Sequence, residues 1–213
     1  MQSIAAERAL RLSQLQSNGG DALDVFNRAL NSVNDLSSNL KPYIDFAISI
    51  TYQHDGLDSI TYLSHPLRVA TMAMFEAKDL STPLVATALL HNIKEVSRPS
   101  FELLKDFADP LVVDAIDILT VERSNHKRSY TYDYYNAIYN SHSFVGIVKA
   151  LDKLDNMFML CLNKDAAVRL KYLQDISEFV LPIVSSHLPH LHRYFELLIQ
   201  DCYSLGFVDL RDW

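Results

Sequence analysis

Apolar residues recur three and four positions apart along almost the whole chain. The strict alternation of a half-buried strand is missing, so the pattern predicts an all-α architecture. A first helix is expected over about residues 3–16, ending before Ser17-Asn18-Gly19-Gly20, and a second from Asp21 to about Asn34, together an N-terminal helical hairpin. Pro42 suits the first turn of a third helix with Tyr43, Phe46, Ala47 and Ile50 on one face, stopping near Asp55-Gly56. A loop over 56–63 follows, then a helix with Ser64 as N-cap and Pro66 just inside, carrying Leu67, Val69, Ala70, Met74 and Ala77. The next starts at Ser81 or Thr82 before Pro83 and buries Leu84, Ala88, Leu89 and Ile93 until Ser97-Arg98-Pro99.

Shorter helices are expected near 100–107 and 110–120, and the polar stretch VERSNHKRSYT (121–131) reads as a surface loop before a tyrosine-rich helix at 132–140. From Phe144 to Leu162 the apolar period is dense enough for a central buried helix, yet that helix includes Lys149, Asp152, Lys153, Asp155 and Asn156. Charges on a core helix need a reason. Two C-terminal helices, about 166–186 and 189–205, complete the bundle, with Pro182 kinking the first.

Composition narrows the classes. The 213 residues are 49% apolar and 21% charged with 5 glycines, enough for one domain with a sizeable core and unlike a disordered tail or a repeat array. We read 1–213 as one unit: a helical extension over 1–40, a core over 43–163 and C-terminal helices over 164–213. A net charge of -7 without a long basic run argues against duplex nucleic acid as a partner. Cys161 and Cys202 lie in apolar segments without CxxC spacing, which supports buried thiols over a disulfide or zinc ribbon. Glu7 and Arg8 interrupt any secretory leader and no apolar run reaches the ~20 residues of a membrane span, so a cytoplasmic location away from membranes is expected. The N-terminal helices could pack on the core or against a second copy as a homodimer.

Three segments carry chemistry. ALLHNIKEV brings His91, Asn92 and Glu95 within one turn of an apolar helix, VKALDKLDNM sets Asp152 and Asn156 four apart on the core helix, and His65 stands at a helix start. Two imidazoles, a carboxylate and an amide oxygen are sensible ligands for a divalent metal if these helices converge. Singly, each has an ordinary structural reading. The GxGxxG, GxxxxGK[ST] and GxSxG patterns are missing, which removes the common nucleotide-loop and serine-hydrolase readings. His187, His190 and His192 in SHLPHLH have no nearby acid to support a metal.

The order YLSHPLRVA, ALLHNIKEV, VKALDKLDNM resembles the HD-domain phosphohydrolases, specifically the alarmone hydrolases of the RelA/SpoT type, whose patterns run YIxHPxxVA, ALLHDxxED and VKLADRLHN. The similarity spans about residues 43–163. It implies an all-α HD-type helical bundle and hydrolysis of the 3'-pyrophosphate of guanosine tetra- or pentaphosphate. The implied metal is divalent, manganese before magnesium, zinc or iron. Carried onto this sequence, the resemblance makes His65, His91, Asn92 and Asp152 metal ligands. Glu95, with Asn92, takes the catalytic role, and Asn156 contacts the nucleotide.

Three departures from the pattern bear on the carried-over chemistry: Asn92 replaces the Asp of the doublet, Val96 replaces the second acid, and the loop DGLDSITYL has no arginine. Asn92 removes a unit of negative charge, which lowers metal affinity but leaves a bound ion a stronger Lewis acid. Val96 removes a group of the kind worth about 10²- to 10⁴-fold in acid–base catalysis. The missing arginine weakens the hold on a polyphosphate, for which Arg68, Lys94, Arg123, Lys127, Arg128, Lys149 and Lys153 are substitutes, with Arg123, Lys127 and Arg128 in a loop able to close over a phosphate. Tyr134, within a cluster of five tyrosines from Tyr130 to Tyr139, could stack a base or pack the core. His54 has no equivalent in the pattern. The sequence therefore supports a nucleotide pyrophosphohydrolase first, a nucleotide- or partner-binding protein of the same fold without turnover second, and a structural helical module third.

Overall fold

The computed structural model describes residues 3–17, 21–52, 59–122 and 127–212. In chain order its α-helices are α1 (Ile4–Gln16), α2 (Ala22–Ser32), α3 (Asn34–Ser49), α4 (Ser59–Glu76), α5 (Thr82–Leu90), α6 (Ile93–Val96), α7 (Arg98–Leu104), α8 (Pro110–Leu119), α9 (Arg128–Tyr139), α10 (Ser143–Met159), α11 (Ala166–Asp175), α12 (Leu181–His187) and α13 (His192–Leu205). No strand occurs among the described residues, as the apolar period requires. No described helix is long and apolar enough to cross a membrane.

The central element is α10. It packs against α1, α4, α5, α9, α12 and α13, with Val145, Val148, Leu151, Met157 and Phe158 shielded from solvent. One buried cluster extends from Ala22 to Cys202. Both cysteines are free and buried. Capping follows the sequence at several starts: Ser81 Oγ accepts from the Leu84 amide, and Asp165 from the Ala167 and Val168 amides.

Several boundaries differ from the sequence reading: α3 ends at Ser49, not near Asp55-Gly56, and at other places packing overrides a local signal. Pro42 lies inside α3, which begins at Asn34, because Leu40 upstream of it is as fully buried as the Tyr43–Ala47 face downstream. Ser64 is not an N-cap. The helix begins at Ser59, Ser64 Oγ donates to the Thr61 carbonyl within it, and Pro66 is also interior. His91 and Glu95 do not share one continuous helix, since α5 stops at Leu90 and a turn through His91-Asn92 restarts the chain as α6. The tyrosine-rich helix starts at Arg128, inside the stretch read as loop. The segment read as one helix is interrupted by a π-helical turn at Ile176–Val180, and Pro182 stands in the first turn of α12 that follows.

Close approach of α10 and α12 fixes one residue type. A Cβ at Gly146 would stand 2.8 Å from His187 Cδ2 and 3.1 Å from Ile183 Cγ2, too close for both neighbours. Overpacking typically costs about 1–3 kcal/mol, against a helix-propensity gain of about 1 kcal/mol. Gly146→Ala is therefore expected to lower stability by roughly 1 kcal/mol in urea unfolding; an unchanged or higher midpoint would show that the two helices separate freely.

Candidate metal centre

Three helices deliver the donor atoms. His65 comes from the middle of α4, His91 from the turn that ends α5, and Asp152 from the buried face of α10. Their ligand atoms lie within 4.8 Å of one another. His65 Nε2 is 3.2 Å from His91 Nε2 and 3.4 Å from Asp152 Oδ1, and His91 Nε2 is 3.6 Å from the same oxygen. The convergence that spacing alone could not establish is present.

The outer nitrogens define what the inner ones can do. His91 Nδ1 is 2.7 Å from the Ala88 carbonyl, an acceptor only, so that nitrogen carries the proton and Nε2 presents a lone pair. His65 Nδ1 is 2.8 Å from Asp155 Oδ2, with the same consequence in the neutral ring. Two imidazole lone pairs and a carboxylate oxygen then face one another, an arrangement satisfied by a cation or by an extra proton on His65. Burial acts to lower the His65 pKa, but hydrogen bonds to Asp152 and Asp155 outweigh it and raise the value. The donor set thus fits a divalent ion with nitrogen and oxygen preference.

Asp152 is anionic despite its burial. Burial would raise its pKa, but the charges of Lys153 and Lys149, with the two imidazoles beside it, hold it well below the usual carboxylate range. Its oxygens are divided. Lys149 Nζ lies 3.2 Å and Lys153 Nζ 3.6 Å from Oδ2, while Asn156 Nδ2 donates to Oδ1 at 2.6 Å and aims it at the histidines. Lys149, Asp152, Lys153 and Asn156 share one face because they fall three and four apart on α10, and Asp155 lies to one side of it.

A cavity of about 490 Å³ opens above this cluster. Arg68, Asn92, Glu95, Lys149, Lys153 and Asn156 line it together with His65 and Asp152, and Leu15, Tyr62, Val121, Met159 and Leu162 form an apolar wall. Glu95 accepts the Val121 amide through Oε1 at 3.2 Å, which orients its carboxylate from the α8–α9 connection. Asn92 sits half-buried at the turn after His91.

Other residues singled out in the sequence fall elsewhere. Arg128 is engaged by Asp175 and Glu178 and stacks over Phe179, outside the cavity. Lys127 precedes α9 and does not line the cavity either. Tyr134 donates to the Leu119 carbonyl, carries Lys149 over its ring, and lines a separate space of about 230 Å³ next to Lys153. Its burial raises its pKa well above the ordinary value, which keeps the hydroxyl protonated. His190 bonds Glu76 at the surface. Arg123 and His54 lie outside the described residues.

Sequence reasoning missed Asp155 and Arg11. Asp155 is fully buried, accepting from Arg11 Nε at 2.8 Å, from Arg68 Nε and Nη2, and from His65 Nδ1. Burial would raise its pKa, but Arg68 and Arg11 hold it well below the usual range. A signal was present: position 155 carries Asp where the pattern VKLADRLHN has His, and Arg8 and Arg11 interrupt the inward stripe of α1.

No family model and no curated protein matches the chain. Among solved structures it is similar to one described as a metazoan ortholog of SpoT that hydrolyses ppGpp and plays a role in starvation responses, with a TM-score of 0.59 and 18% identity over 87% of this chain and 97% of that one. The likeness shows the fold, an all-α HD-type helical bundle.

Proposed function

We propose that this chain is a metal-dependent phosphohydrolase acting on a nucleotide pyrophosphate, with a guanosine 3'-pyrophosphate of the ppGpp type as the first substrate to test. The observation that carries the reading is the convergence of His65 Nε2, His91 Nε2 and Asp152 Oδ1 at the base of a cavity, with both histidine tautomers set from behind. In this reading Asn92 adds a neutral oxygen to the same ion. A manganese, magnesium, zinc or iron ion held there would supply Lewis acidity toward a phosphate oxygen and water.

The chain's own residues have the remaining roles. Three cationic side chains, Arg68, Lys149 and Lys153, and three anionic ones, Glu95, Asp152 and Asp155, line the cavity, so a divalent ion would leave it positive and suited to a polyphosphate. The apolar wall from Leu15 to Leu162 suits a base, and Asn156, which lines the cavity and bonds Asp152, would meet sugar or phosphate. Glu95 would accept the proton of the attacking water as its oxygen bonds the phosphorus carried by the ribose 3'-oxygen, and return one to that 3'-oxygen as its bond to phosphorus breaks and pyrophosphate is released.

A second reading, nucleotide binding without turnover, is supported by the surroundings of Glu95. Val96 is buried in the core, so the turn presents one acid to the cavity, and Asn92 adds no charge.

The test is metal content of protein purified without chelator, followed by pyrophosphate release from ppGpp with added manganese. One ion per chain and release are expected. His91→Ala and Asp152→Ala should each reduce release by at least about 10²-fold and lose the ion. Metal with tight nucleotide binding but no release would establish the second reading; neither metal nor nucleotide binding would overturn both. A pH series supplies an independent check. The ion competes with the His65 proton, so manganese affinity should rise about tenfold per pH unit below the raised His65 pKa and level off above it. In the metal-free chain the sign is opposite: the charged His65 contributes stability that is full below about pH 6.5 and fades as pH rises through the raised value. A flat affinity profile would contradict His65 as a ligand.

A further inference from the structure

The site has one carboxylate among its converging donors, yet a second carboxylate is buried directly behind it. Asp155 Oδ2 lies 2.8 Å from His65 Nδ1, on the side of the ring opposite the donor nitrogen. A carboxylate there fixes the tautomer and makes the ligating nitrogen more basic, as carboxylate–histidine pairs do behind metals. We infer that Asp155 is a positioning residue that acts through His65 and restores to the metal site the negative charge that Asn92 does not provide, with Arg11 of the N-terminal helix as the counter-charge that limits it. The inference rests on the metal reading above.

Every group facing Asp155 fits this assignment. From α4, Arg68 grips it through Nε at 2.9 Å and Nη2 at 2.8 Å, two charge-assisted hydrogen bonds that do not involve α1. From α1, Arg11 adds Nε at 2.8 Å, backed by Glu7 at 2.5 Å and by the face of Phe158 at 4.1 Å. The attachment of α1 does not depend on Arg11. Arg8 pairs with Asp201 of α13 at 2.5 Å and donates to the Phe158 carbonyl, and Leu12 is fully buried. The N-terminal helix, outside the segment that carries the sequence resemblance, therefore reaches the metal site with one charge.

Charge makes the two partners separable in sign. Removing the Asp155 charge should weaken a bound cation, whereas removing the Arg11 charge while Arg68 still holds Asp155 should strengthen it. A brace with no electronic role would weaken binding in both cases. The experiment is manganese titration of the full chain, followed by electron paramagnetic resonance, with thermal unfolding and the visible spectrum of the cobalt-loaded protein on the same variants. Asp155→Asn should bind manganese about 10- to 100-fold more weakly and shift the cobalt spectrum. Arg11→Met should bind roughly two- to tenfold more tightly with the wild-type spectrum. Should Asp155→Asn fail to fold, Arg11→Met/Asp155→Asn removes a buried cation together with the carboxylate, and it should bind more weakly than Arg11→Met alone. Wild-type affinity in the Asp155 variant, or parallel weakening in both single variants that tracks their unfolding temperatures, would overturn the inference while the metal reading stood. A wild-type chain that binds neither ion would overturn the metal reading and this inference together.

Discussion

The buried carboxylate of Asp155 ties the fold to the site. A charge removed from water is costly unless it is paired and hydrogen-bonded on every side, and Asp155 meets that condition only while α1, α4 and α10 stay in register, since its partners Arg11, Arg68 and His65 come from two of those helices and it stands on the third. The same constraint holds His65 with Nε2 toward His91 and Asp152. Losing one partner from a buried ion cluster typically costs about 3–5 kcal/mol, so misplacement of these helices is penalised steeply and the donor geometry follows from folding.

Charge on α10 explains itself in this frame. Lys149, Asp152, Lys153 and Asp155 would destabilise a core helix if each were alone, but they pair with one another and with cations and imidazoles from neighbouring helices. What faces the cavity is a balanced set of charges, three cationic and three anionic, on which the proposed metal and phosphorylated ligand would draw. Neutralisation of the Asp152 Oδ2 side by two lysines leaves Oδ1 to serve the histidines, a division maintained by Asn156.

The all-α class and the identity of the converging residues were legible because they rest on local regularities: the 3.6-residue period, the charged positions on a helix otherwise fit for the core, and three short segments in order. Asp155 and Arg11 were not legible in the same way, since the need for Arg11 appears only once α1 is seen to lie on α10, a contact between residues 144 apart in sequence. The start of α4 was misread for a related reason. Pro66 is a strong local signal for a first turn, but the earlier residues Thr61 and Tyr62 are buried, and their packing extends the helix past the proline. The turn at His91-Asn92 hid behind continuous apolar spacing, and it is the turn that brings the imidazole at the end of α5 to the cluster.

The most direct measurement is anomalous diffraction from crystals grown with manganese. A single strong peak bounded by His65 Nε2, His91 Nε2 and Asp152 Oδ1, with Asn92 within coordination range and Asp155 still on His65 Nδ1, is the predicted result. A crystal in which these side chains keep their places at saturating manganese with no peak among them would contradict the account.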